Sequence, residues 1–406
     1  MKFFKSLPAK LLIGLLIGMV VGLLASSFEA QLPAVMGPVM TVVVTAKYIM
    51  GQLITFCVPL IVIGFIAPSI TKLGASASRM LTVALILAYV SSILAAFMSM
   101  GAGYGIIPSL PIASQVDALK ELPGVAFELN IPQIMPVMSA LVLSVLLGLA
   151  AVWTKASTMI RLLDEIQRIV LQIVSKVVIP VLPFFIGTTF ACLAYDGTIT
   201  KQLPVFVIVI LIVMVGHYIW LGVLYGAAGI YTKTNPIEVV RHYGPAYITA
   251  VGTMSSAATL SVALTCAHKS KTLRRDMVDF GIPLFANIHL CGSVLTEVFF
   301  VMVVSKILYG TLPSIGSMIL FCLLLGVFAI GAPGVPGGTV MASLGLIVSV
   351  LGFDATGTGL MLTIFALQDS FGTACNVTGD GALTLMLTGY AKKHNIEEES
   401  VAQVEL

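Results

Sequence analysis

Gly331-Ala332-Pro333-Gly334-Val335-Pro336-Gly337-Gly338 sits in the middle of an apolar segment that runs from 315 to 350. Two prolines and four glycines in eight residues cannot continue a helix. A chain that must satisfy its backbone inside a bilayer can turn there only if the turn is buried in protein or lines a cavity. The segment therefore reads as a re-entrant hairpin. A second segment, 236–267, has the same character. Its centre is Gly252-Thr253-Met254-Ser255-Ser256-Ala257-Ala258-Thr259, and both of its flanks are basic: Lys233 and Arg241 before it, Lys269, Lys271, Arg274 and Arg275 after it. A single crossing would place one basic flank outside, against the positive-inside tendency, whereas a hairpin entering and leaving on the cytoplasmic side does not.

Working outward, the other apolar segments fall near 10–27, 41–69, 80–103, 134–154, 166–194, 204–230, 277–306 and 357–391. The chain has 406 residues, 58% hydrophobic and 10% charged. Soluble chains carry about 25% charge, so this is a polytopic membrane protein. The start, Met1-Lys-Phe-Phe-Lys, with the apolar run to Ala25, has the look of a signal peptide, but the further apolar segments make it an uncleaved first span. Lys2, Lys5 and Lys10, then Lys72 and Arg79, then Lys155 and Arg161, and finally Lys392 and Lys393 mark the cytoplasmic side. The loop 104–133 holds Asp117, Glu121 and Glu128 and falls outside. This gives eight transmembrane helices and two re-entrant hairpins, all α, with both termini cytoplasmic and a multi-pass placement in the cell (inner or plasma) membrane. The Lys/Arg residues are spread over short loops, so nothing points to nucleic acid. The six cysteines lie in apolar surroundings without a CxxC pair, which indicates neither disulfides nor a metal centre.

The last apolar segment carries one polar stripe. Asp369, Thr373, Asn376 and Asp380 are spaced by four, three and four, which places them within about 60° of one helix face. Each intramembrane carboxylate costs on the order of 3 kcal/mol on insertion scales, and it persists where it faces a partner, an ion or a wet cavity. An internal repeat supports a transport role. Each hairpin is followed by a long segment with a similar interruption, His289-Leu-Cys291-Gly292-Ser293 and Asn376-Val-Thr378-Gly379-Asp380. Paired broken helices around a midplane site are the pattern of secondary transporters.

The Ser255-Ser256-Ala257-Ala258-Thr259-Leu260 hairpin, the Gly334-Val335-Pro336-Gly337 tip and Asp369-(x)6-Asn376-Val-Thr-Gly-Asp380 resemble the dicarboxylate/amino acid:cation symporter family, the glutamate-transporter homologues. Within it the motifs are most similar to the bacterial serine/threonine symporter branch. The resemblance implies a homotrimer in the lipid bilayer working as an elevator. Residues 1–79 and 134–203 would be scaffold, 80–133 and 204–391 transport domain, and 392–406 a cytoplasmic tail. Asp369 would hold a substrate ammonium with help from Thr373, and Asn376 its carboxylate. Ser255, Ser256, Ser293, Val335, Pro336 and Gly337 would close around it. Asn376, Asp380 and His289 would ligate Na+, and backbone carbonyls from Ala329, Ile330 and Ala332 a second ion.

Three departures from the family pattern refine this. Family members with acidic substrates carry an arginine at the position of Gly372, so a small neutral amino acid is expected, with a dicarboxylate or acidic amino acid as the alternative. The Asn and Asp of a deeper sodium site are replaced by His289 and Cys291, and sulfur is a poor Na+ ligand, so fewer sodium ions are expected. Helical spacing would place His289, Ser293 and Glu297 on one face, and His289 or Glu297 could take a proton in place of an ion. An enzyme fits poorly: Gly379-Asp380 lacks the second glycine of intramembrane aspartyl proteases, since 377 is Val, and no GxSG or HExxH occurs. A dedicated channel would not need two occluding hairpins around a paired ammonium and carboxylate site.

Overall fold

In the computed structural model, residues 7–75, 79–112, 120–332, 334 and 336–396 are described. Among them all regular secondary structure is helical. The first elements are α1 (Leu7–Phe28), α2 (Pro33–Ala75), α3 (Arg79–Ile106), α4 (Val137–Trp153), α5 (Ser157–Ile173) and α6 (Ile179–Tyr195). Then come α7 (Thr198–Thr232), α8 (Ile237–Val240), α9 (Gly244–Thr253), α10 (Ser256–Ala267), α11 (Arg275–Ile288), α12 (Cys291–Tyr309), α13 (Ile315–Gly331), α14 (Gly338–Leu351) and α15 (Ala355–Lys393). Four stretches are long and apolar enough to cross a bilayer by length and composition: Pro33–Gly64, Arg79–Ser109, Val205–Thr232 and Arg275–Tyr309.

Both hairpins form. In the first, α9 and α10 pack on each other around Met254 and Ser255, with Met254 at φ +53°. In the second, α13 and α14 pack on each other, and the turn ends at Gly337 with φ +71°. Glycine takes that conformation without the Cβ penalty. The arms contain 10, 12, 17 and 14 residues, fewer than the ~20 a crossing helix needs.

Two sequence expectations are corrected. The segment read as one span over 166–194 begins at Ser157 instead. Its first half, α5, is amphipathic, with Arg161, Asp164, Glu165 and Arg168 following helical spacing. A π-turn over Val174–Val178 joins it to α6. Pro180 has no amide to give to the carbonyl four residues back, and a widened turn before it accommodates that loss. The second correction concerns the repeat. The helix ladder is interrupted at His289-Leu290, between α11 and α12, but α15 runs unbroken from Ala355 to Lys393 through Asn376-Val-Thr-Gly-Asp380.

The heaviest helix packing falls into two groups, with lighter contacts between them. α1 lies along α6, and α2 along α4. α12 is the central post of the other group, surrounded by α3, α7 and α15, and every residue from Cys291 to Ser305 in it is buried. Close approach needs small residues here. A Cβ on Gly18 would collide with the Gly187 carbonyl oxygen, so α1 meets α6 backbone to backbone. Such contacts are a main source of helix adhesion in lipid, where apolar burial gives no drive.

Candidate functional site

The polar stripe of α15 faces inward, and each of its members reaches a different element. Asp369 Oδ2 accepts the Gly337 amide at 2.6 Å. Gly337 caps the start of α14, so the carboxylate sits at a helix N-terminus, where the dipole favours negative charge. Thr373 Oγ1 lies 3.5 Å from Asp369 Oδ1. The tips of the two hairpins meet beside this point. Ser255 Oγ donates to the Gly334 carbonyl at 2.6 Å while accepting the Ala258 amide as the N-cap of α10. Ser256 follows, buried. Pro336 and Gly337 are in the turn; Val335 lies outside the described residues.

Asn376 explains the broken helix. Its Oδ1 accepts the amides of Gly292 (2.7 Å) and Ser293 (3.2 Å), and its Nδ2 donates to Ser293 Oγ at 2.9 Å. In a continuous helix those two amides would bond the carbonyls of Ile288 and His289. Asn376 takes them, so the ladder parts between α11 and α12 and the two carbonyls are released. The approach is tight: a Cβ on Gly292 would stand 2.5 Å from the Gly372 carbonyl oxygen. On the far side of the break, His217 Nε2 lies 3.1 Å from the Gly292 oxygen and 2.9 Å from Thr296 Oγ1.

One turn further along, Asp380 Oδ1 is 2.9 Å from His289 Nδ1, and His289 Nε2 is 2.8 Å from Ser91 Oγ on α3. His289 and Asp380 are 0% and 1% exposed. The chain Asp380–His289–Ser91 ties α15, the break and α3 together. His289 and Glu297 do not share a face, because the break separates them. Glu297 lies within α12 and accepts Ser343 Oγ of α14 through Oε1. Its Oε2 has no partner among the described residues.

Ala329, Ile330 and Ala332 lie at the end of α13, where the last carbonyls of a helix lack intrahelical donors. Hard oxygens of that kind suit an alkali cation. The structure thus brings Asp369, Thr373, Gly337 and Ser255 to the junction of the hairpins, with the Asn376–Ser293 pair one turn further along α15. It places His289 and Asp380 behind them and Glu297 away, against α14. Sequence reasoning missed Ser91, Ser343 and the role of Asn376 as a plug. The signal for the plug was present, since Gly292 and Gly372 are the residues two helices would need in order to touch there.

Comparison with known proteins follows the same lines. A model of the sodium:dicarboxylate symporter family matches residues 7–390. The excitatory amino acid transporter of Caenorhabditis elegans is 30% identical over 161 residues, covering 40% of this chain and 32% of that protein. Excitatory amino acid transporter 2 of Mus musculus is 27% identical over 229 residues, covering 54% of this chain and 39% of the relative. The chain therefore spans about a third to two fifths of the length of these relatives. With a family match from 7 to 390 and an all-helical fold around two hairpins, the chain belongs to the sodium:dicarboxylate symporter family, a family of transporters and not of enzymes.

Proposed function

We propose that the protein is a Na+-coupled symporter that imports a small neutral amino acid, serine- or threonine-like, as a homotrimer moving by an elevator mechanism, with both termini cytoplasmic. The observation that carries this reading is Asp369. Its carboxylate is 4% exposed at the junction of the hairpin tips, and a buried carboxylate calls for a cation. From 276 to 391 the only Lys or Arg is Lys306, whose ammonium is taken by the Gly310 carbonyl at 2.8 Å. A substrate ammonium would supply the missing charge. Gly372 offers no group for a substrate side-chain carboxylate, and Ser293 backbone atoms would lie 3.4 Å from any Cβ placed there.

The carbonyls of Ile288 and His289, the Asp380 carboxylate and the end of α13 offer hard oxygens for Na+. With His289 committed to Asp380 and Ser91, and Cys291 beside it, the oxygen set for a deeper ion is reduced, which supports a low sodium count. Glu297, half-partnered by Ser343, is the group placed to carry H+. The packing of α1 on α6 and α2 on α4, heavier than that of α6 on α7 or α15, supports a scaffold and a moving unit. The test is uptake of labelled L-serine into proteoliposomes under an inward Na+ gradient. Concentrative uptake that Asp369→Asn abolishes is expected. Serine exclusion by a folded, lipid-embedded protein would overturn the substrate.

A second reading keeps the fold and the coupling and makes the substrate a dicarboxylate or an acidic amino acid. The family description and the names of the relatives favour it. Aspartate or succinate uptake in the same vesicles, with serine excluded, would establish it.

A further inference from the structure

Away from the hairpins, a groove of about 1090 Å³ lies between α1, α2 and α6. Along α1 it runs from Lys10 to Val21 and along α6 from Pro180 to Ala191, with Val43 and Met50 of α2 as the third wall. Eleven rises of about 1.5 Å from Lys10 to Val21 make it about 16 Å long, close to half of the ~30 Å hydrocarbon core, the depth of one leaflet. Its one hydroxyl, Thr188, donates to the carbonyls of Phe184 (3.1 Å) and Phe185 (3.0 Å) in its own helix, so the walls ask nothing of a polar guest. At one end stands the exposed ammonium of Lys10, which makes no ion pair or hydrogen bond among the described residues.

We infer that this groove binds an anionic phospholipid, with an acyl chain along α1 and α6 and the headgroup phosphate on Lys10. An apolar slot one leaflet deep with a cation at its mouth matches a lipid in length, polarity and charge. A lysine near an anionic membrane surface attracts its headgroups.

The test is native mass spectrometry of the full-length protein after delipidation, titrated with phosphatidylglycerol, phosphatidylcholine or short-chain dihexanoyl phosphatidylglycerol. Wild type should retain phosphatidylglycerol roughly fivefold over phosphatidylcholine, the factor one lysine supplies, and should not retain the short-chain lipid. Lys10→Gln should remove that preference and Lys10→Arg keep it. Ala46→Phe, which fills the groove from α2, should remove adducts of both long-chain lipids. Equal retention by wild type and both Lys10→Gln and Ala46→Phe would overturn the proposal. So would a wild type free of lipid whose oligomer mass changes in Ala46→Phe, since that outcome makes the groove a contact between copies. Should Ala46→Phe fail to fold, the Lys10 pair still decides.

Discussion

The tips of the two hairpins touch, but they are held in opposite ways. The first holds itself. Thr253 Oγ1 and Thr259 Oγ1, 3.0 Å apart, both lie within hydrogen-bond reach of the Ser255 carbonyl, at 3.2 and 2.9 Å. Ser255 caps α10. The base of this hairpin is also tied. Glu238 of α8 accepts from Ser270 Oγ, the Lys271 amide and Thr272 Oγ1, which joins the chain entering the hairpin to the chain leaving it. The described part of the second tip is glycine and proline, without side-chain donors. Its polar contacts are borrowed: the Gly334 carbonyl from Ser255, and the Gly337 amide on Asp369. One tip is held by its own side chains, and the other by the groups it lands on.

That contrast can be broken at several points. The largest effect is expected from Asp369→Asn. Removing one side of a buried charge interaction costs about 3 kcal/mol or more, so Na+-driven uptake should fall by over a hundredfold while amide protection of 253–259 stays as in wild type. Loss of protection in both hairpins would break the contrast. Asn376→Leu comes next. It leaves the Gly292 and Ser293 amides unpaired in a buried setting, at about 1–3 kcal/mol each, and should lower thermal stability in detergent more than Thr373→Val does. Equal stability would mean that α11 and α12 part for another reason.

Ser255→Ala removes an N-cap and the bond to Gly334. Cap loss is worth about 1 kcal/mol, and the expected signature is a several-fold weaker apparent substrate affinity with little change in maximal rate. The smallest effect belongs to the base. Burial would raise the Glu238 carboxyl, but the hydrogen bonds from Ser270, Thr272 and the Lys271 amide outweigh it and bring it down to about 2. An unfolded glutamate titrates near 4.3, so the contribution is complete above that pH and is lost as pH falls through about 2. The stability gap between wild type and Glu238→Gln, about 1 kcal/mol, should be flat from pH ~5 to ~8 and shrink in acid.

The hairpins were legible because proline, glycine and basic flanks are local signals. So was the position of the break at His289, but not its cause, because Asn376 reaches it from 84 residues away. The same glycine signal misled in α15. Gly379 looked like an interruption, yet the helix continues through it and through Gly381. A Cβ on Gly379 would stand 3.0 Å from His289 Cε1, and one on Gly381 2.6 Å from Tyr225 Oη. Those glycines make room for neighbours, and a buried helix tolerates them for that reason. α5 was hidden in a search for apolar runs, although Arg161, Asp164, Glu165 and Arg168 already spelled an amphipathic helix. Ser91 and Ser343 carried no signal, since a serine becomes a partner only through the packing that brings it there.

Hydrogen–deuterium exchange of the protein in lipid nanodiscs, with and without Na+ and L-serine, tests the account most directly. It predicts that ligands protect the amides of 334–341 strongly and leave those of 253–259 nearly unchanged. Equal protection of both hairpins, or a larger change in the first, would contradict it.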